Sequence, residues 1–191
     1  QQSNKLKMQK LALVQIMLIA SILFATLPLK AKSILLSTNA NDIKWTTIDA
    51  ALTANKKDNK KFIFVHLYTD WCGWCKKMDE NTFQDGGVAT LINNNFTPVK
   101  FNAENQNPVE YKGKTYNFNK TGSRGANQLA LDLGSIGGKL GYPTLVILDE
   151  NGNKLQAFPG FKDTETITAI LKYFISGSYK TMDFQQFQTG Q

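Results

Sequence analysis

Cys72 and Cys75 are the only cysteines in the 191 residues, and they stand three positions apart. Trp71 and Trp74, two of the three tryptophans, adjoin them in the stretch YTDWCGWCKK. Such a pair can be a structural staple, a metal site or a reactive couple. A disulfide across Cys-x-x-Cys closes almost no chain, so its entropic gain on folding is small compared with that of a long loop. Structural zinc needs four ligands, and the sequence has no second cysteine pair and a single histidine, His66. Copper(I) accepts two thiolates and stays an alternative. The spacing therefore favours reactive sulfurs over a staple.

Reactive sulfurs must be held by rigid elements, and the pattern around them supplies several. Phe62–Tyr68 (FIFVHLY) is a nearly continuous apolar run rich in strand formers, as expected of a strand buried on both faces. Residues 75–80 read as a helix with Met78 inward. Before the strand, Asp42 is expected to cap a helix presenting Trp45, Ile48, Ala51 and Leu52 on one face, ended by the polar NKKDNKK of 55–61. After the cysteines come a helical piece over 88–92 and a strand over 96–102. Residues 109–118 (VEYKGKTYNF) read as a hairpin turning at Lys112–Lys114, 119–125 as loop, 126–133 as helix, and Gly134, Gly137, Gly138 and Gly141 as a flexible stretch. Residues 144–148 (TLVIL) and 154–158 read as strands joined by a turn. Asp163 or Thr164 then caps a long helix carrying Ile167, Ile170, Leu171 and Phe174, and a short helix through Phe184 and Phe187 follows. The order predicts an α/β fold, a mixed sheet covered by helices on both faces.

The net charge of +7 is local. Lys5, Lys7, Lys10, Lys30 and Lys32 lie in the first 33 residues, which hold no acid, so the remainder carries only +2. A basic nucleic-acid surface is not expected. Three lysines before the apolar run Leu11–Leu27, with small residues Ala31 and Ser33 after it, have the layout of a secretory signal cleaved after Ser33. The alternative is an uncleaved membrane anchor, the run being near the shortest that spans a bilayer, about 17 residues. The expected organisation is signal or anchor over 1–33, linker over 34–41 and one domain over 42–191. Location is then periplasmic or otherwise extracytoplasmic, with membrane contact only through the uncleaved segment.

With these pieces in order, the chain resembles the thioredoxin-fold family, in its secreted bacterial branch. The resemblance rests on Trp71-Cys72-Gly73-Trp74-Cys75-Lys76 after the buried strand, on Tyr142-Pro143-Thr144 before TLVIL, and on Pro98–Ala103 as the second central strand. It covers about residues 42–176, with 103–141 as an insertion before the proline strand. It implies a three-layer sandwich and a thiol–disulfide oxidoreductase that reduces or isomerises disulfides of exported proteins. Cys72, at a helix N-terminus that favours thiolate, is the attacking sulfur, and Cys75 resolves the mixed disulfide. Pro143 is expected to be cis and to face the cysteines, exposing the backbone of Tyr142 to an extended client. Tyr142, Thr144, Trp71, Gly73 and Trp74 are the expected client contacts; for Trp74 plain packing is an equal reading.

His66 stands where thioredoxin carries a buried acid. It either takes the proton from Cys75 or is a neutral, hydrogen-bonded core residue. Lys100 matches a lysine that pairs with that acid, and the pairing is expected to be lost. Asp70 is expected as an exposed acid at the helix start. No cofactor is implied, since the dithiol holds both electrons. The partners implied are cysteine-containing exported proteins and a thiol reductant or membrane electron donor. The rival reading is a non-catalytic binding module that holds a client or copper(I).

Overall fold

The computed structural model describes residues 42–190. The expected signal or anchor over 1–33 and the linker over 34–41 lie outside the described residues.

Strand β1, Phe62–Tyr68, is central in a four-stranded sheet of order β2-β1-β7-β8, with β2 Phe96–Asn102, β7 Thr144–Asp149 and β8 Lys154–Pro159. β2 runs parallel to β1, whereas β7 is antiparallel to both β1 and β8. Because side chains alternate along a strand, β1 feeds two separate cores. Phe62 and Phe64 join one with Met78, Phe83, Ile92, Ile170 and Phe174. Ile63, Val65 and Leu67 join the other with Ala51, Tyr111, Leu129 and Leu133. This is the expected mixed sheet with cover on both faces.

The first face is covered by α3 Gly86–Asn95, by α5 Thr164–Ile175, capped by Asp163 as expected, and by the residues that follow α2 Gly73–Lys77. α2 runs on as a π-helical turn, Met78–Thr82, in which the Phe83 N–H bonds the Met78 carbonyl. Both Met78 and Phe83 are thereby buried.

The second face is covered by α1 Ile48–Lys57 and by the 103–141 segment. That segment holds two hairpins, β3 Val109–Tyr111 with β4 Lys114–Tyr116, and β5 Phe118–Thr121 with β6 Arg124–Asn127. Helix α4, Gln128–Gly134, follows. A short α6, Phe184–Thr189, ends the described chain.

Three expectations are corrected. The first helix starts at Ile48, not after Asp42. Thr46 instead pairs with the open edge of β2, its N–H bonding Pro98 and its carbonyl accepting from Lys100. Satisfying that edge outweighs extending the helix. Trp45 consequently packs on Phe83 and Phe64, on the opposite sheet face from Ile48. Residues 119–125 are not loop but most of a second hairpin, turning at Gly122 with φ of 62°. Three of the glycines after Leu133, expected in a flexible stretch, lie in a helix end and a turn. Gly134 is a buried helical residue, and Gly137 and Gly138 make a positive-φ turn between the bridged Ile136 and Lys139.

Candidate functional site

β1 delivers the chain to the cysteines. Its last carbonyl, on Tyr68, accepts the Ala103 N–H, and the Cys72 N–H bonds the carbonyl of buried Thr69. Cys72 is then the N-cap of α2, with extended backbone, and its Sγ accepts the Cys75 N–H at 3.1 Å. The sulfurs are joined as a disulfide, with Cα atoms 5.3 Å apart. Cys72 is 4% exposed and Cys75 1%, so Cys72 is the more accessible of the two. Once the bond is reduced, the N–H aimed at Cys72 Sγ favours its thiolate. Gly73 is exposed, and a Cβ there would meet nothing within 4 Å, so the approach over the helix start is open.

The Tyr142–Pro143 peptide is cis. Pro143 is buried and its carbonyl accepts the Gly160 N–H. Tyr142 has no backbone hydrogen-bond partner among the described residues, so its N–H and carbonyl are available to a client. Burial, then the Glu104 carboxylate, raises the Tyr142 pKa, keeping the phenol neutral. Thr144, expected as a client contact, lies beneath the surface. Its side chain is fully buried and its hydroxyl donates to the Gly141 carbonyl, so it braces the loop from beneath.

Trp71 and Trp74 are 50% and 57% exposed, unusual for side chains of this size. Trp71 meets Tyr142 edge to face at 5.8 Å. Trp74 lies 5.4 Å from Phe161, with the Lys77 ammonium over both rings. The two indoles therefore flank the cysteines with half their surface in solvent, a large apolar area for a surface loop.

His66 lies on the first sheet face, among Phe83, Tyr68 and Trp45. It is buried, and neither ring nitrogen has a hydrogen-bond partner among the described residues. Burial, reinforced by the Lys100 charge, lowers its pKa from 6.5 to about 3. The imidazole is neutral, so its 3.8 Å approach to Asp79 is a polar contact rather than an ion pair. It thus lacks the hydrogen bonds expected of a core histidine, and it is a weak base for a proton-carrying role. Lys100 keeps a carboxylate partner after all. Asp79, from the π-helical turn, reaches its Nζ at 2.7 Å. Nothing in a single sequence signals that Asp79 replaces the acid missing at position 66. Asp70 is exposed as expected and accepts a hydrogen bond from Asn102. Glu104, Arg124 and Phe161 also border the site unforeseen, because loops bring them there.

Among the described residues no group of three or more His, Cys, Asp or Glu is placed to hold a metal ion. No helix among them is long and apolar enough to cross a membrane.

Comparison with known proteins agrees with this geometry. The chain is 26% identical over 118 residues to the disulfide bond reductase DsbH of Chlamydia pneumoniae, covering 61% of this chain and 62% of the relative. It is 30% identical over 70 residues to an uncharacterized protein of Caenorhabditis elegans, 37% of this chain and 10% of that protein. The chain thus spans less than two thirds of either relative's length. Solved structures share the fold at 16% identity and a TM-score of 0.51. They are a thioredoxin-fold protein from Helicobacter pylori, with 69% of this chain and 80% of that chain covered, and a thioredoxin from Thermus thermophilus, with 70% and 88% covered. The profile of the Thioredoxin-like domain matches residues 48–175, from α1 through α5, and this chain therefore belongs to the thioredoxin-like domain family.

Proposed function

We propose that the protein is a thiol–disulfide oxidoreductase that reduces or isomerises disulfides of cysteine-containing exported proteins. The observation that carries this reading is the bonded Cys72–Cys75 pair at the start of α2, with the Cys75 N–H directed at Cys72 Sγ. Its likeness to a chlamydial protein named a disulfide bond reductase supports the reducing direction. The N-terminal lysines and apolar run support export, and an intact mass beginning after Ser33 would distinguish a cleaved signal from an anchor.

In the reduced protein, the Cys72 thiolate attacks one sulfur of a client disulfide. A Cys72–client bond forms, and the other client sulfur leaves as a thiolate and takes up a proton. Cys75 then loses its proton and attacks Cys72 Sγ. The Cys72–Cys75 bond forms, and the second client sulfur leaves. The client gains two electrons and the dithiol loses them, so no cofactor is needed. A thiol reductant or membrane electron donor must restore the dithiol. Trp71, Gly73, Trp74 and the Tyr142 backbone form the client surface, with Pro143 and Thr144 bracing it. His66 serves as neutral packing beneath the site rather than as proton carrier, since its lowered pKa makes it a weak proton acceptor and neither ring nitrogen has a hydrogen-bond partner among the described residues.

Two substitutions test the exchange. Cys72→Ser should abolish turnover of a disulfide-bonded client, and Cys75→Ser should accumulate the mixed disulfide on Cys72, visible by non-reducing electrophoresis. If both variants bind clients as the wild type does and the wild type turns nothing over, the protein is a binding module instead. The direction is read from the equilibrium potential of the couple in glutathione buffers. A value near about −270 mV marks a reductase and one near −120 mV an oxidant.

A further inference from the structure

Trp71 is half exposed yet held from three sides. Its Nε1–H donates to Glu104 Oε2 at 3.0 Å, the Arg124 guanidinium lies 4.2 Å from the ring centre, and Tyr142 meets it edge to face. Two of these three groups come from the 103–141 segment. The holders are themselves anchored. The Glu104 N–H donates to Asn102 Oδ1, and Asn102 Nδ2 donates to Asp70, so the chain of bonds returns to the residue preceding Trp71. Hairpin β5–β6, which carries Arg124 beside its turn, is tied to β1 through backbone hydrogen bonds. The Asn127 N–H bonds Ala103, whose N–H bonds Tyr68. Within the hairpin, Gly125 allows the facing strand to approach closely, since a Cβ there would sit 2.4 Å from the Asn119 carbonyl oxygen and 2.5 Å from the tip of the Phe118 ring. The Arg124 side chain makes no ion pair or hydrogen bond among the described residues, and its guanidinium is placed over Trp71.

An exposed tryptophan has no folding reason to be fixed so thoroughly. A fixed aromatic has a binding reason, because a side chain ordered in advance loses little entropy when a partner docks. We propose that the β5–β6 hairpin and Glu104 clamp Trp71 in one pose beside Cys72. Arg124 and Glu104 are positioning residues, and the clamped indole is what captures an extended polypeptide client rather than a small disulfide. The kinetic side of this rests on the exchange reading above; the binding side does not.

The test uses a linear peptide with one internal disulfide, its Cys→Ser counterpart, and hydroxyethyl disulfide as the small substrate. Freeing one large side chain should weaken binding about two- to tenfold. Arg124→Ala and Glu104→Gln should weaken the Cys→Ser peptide by that factor and broaden or shift the Trp71 indole N–H resonance. They should raise KM for the disulfide peptide with kcat unchanged, and leave hydroxyethyl disulfide turnover as in the wild type. Arg124→Lys should recover part of the affinity. An unmoved Trp71 resonance overturns the clamp. So does peptide affinity equal to wild type in both variants, or failure of the wild type to bind the peptide. If the Cys→Ser peptide binds and the variants weaken it while no disulfide is ever exchanged, the clamp stands and the exchange reading fails.

Discussion

At the scale of single residues, His66 is the clearest conflict between side chain and surroundings. A buried imidazole with two orphan nitrogens costs stability, and its pKa of about 3 makes the cost depend on pH. Its folded pKa lies below the ordinary value of 6.5, so the unfolded chain binds a proton first as pH falls. Stability from this site is complete above about pH 6.5 and is lost from there down to about pH 3, by up to about 1.4 kcal/mol per pH unit. His66→Phe should remove that slope and hold stability at pH 7 equal or better. Urea unfolding of both proteins at pH 7, 5.5 and 4.5 checks it. Parallel curves for the two proteins would mean that the imidazole titrates normally in the fold. Asp79 and Lys100, paired beside it, account for why the site tolerates a neutral group there, since the lysine has another partner.

At the scale of elements, the first hairpin of the 103–141 segment is bolted to the far end of the sheet. Tyr111 donates its hydroxyl to the Gly152 carbonyl at 2.9 Å, in the turn between β7 and β8, and Lys112 reaches Asn153 there. Gly152 has φ of 77°, and a Cβ on it would sit 2.3 Å from the Tyr111 hydroxyl and 2.8 Å from Leu52. Gly152→Ala should therefore cost about 1–3 kcal/mol, and Tyr111→Phe about 1 kcal/mol for the lost hydrogen bond. The double variant should lose less than the two single losses added together, because removing the hydroxyl relieves part of the clash. Denaturant midpoints of the four proteins measure this. Strict additivity would mean that the turn moves away from the tyrosine instead of striking it.

For the molecule as a whole, the segment that looks like an insertion is part of the cover of the second sheet face. Leu129, Ala130 and Leu133 share a core with Ile63, Val65 and Leu67 of the central strand, and that face has α1 as its only other helix among the described residues. Leu129→Ala should destabilise by about 2–5 kcal/mol, the range for truncating a fully buried leucine. Circular dichroism during urea unfolding gives the value. A loss below about 0.5 kcal/mol, the size of a surface effect, would mean that the domain is complete without the segment. The same segment carries Arg124 to Trp71, so cover for the sheet and reach to the site are built from one piece of chain.

The sequence by itself determined the elements whose cause is local. FIFVHLY and TLVIL are strands because their side chains suit a buried pleat. Cys72 starts a helix with Cys75 one turn on, and Asp163 caps the last long helix. The cis proline, too, was legible from its neighbours through the family resemblance. Only the tertiary structure decided which face Trp45 joins, because an unpaired strand edge competed with a helix and won. Only it brought Asp79 to Lys100, Phe161 to Trp74, and Glu104 and Arg124 to Trp71. Those contacts join residues 21 to 87 positions apart, and no period or spacing in a single chain encodes them. The place of the Thr144 side chain was decided in the same way. A motif names the residue, but the turn from Gly141 to Thr144 decides whether its hydroxyl meets solvent or a carbonyl.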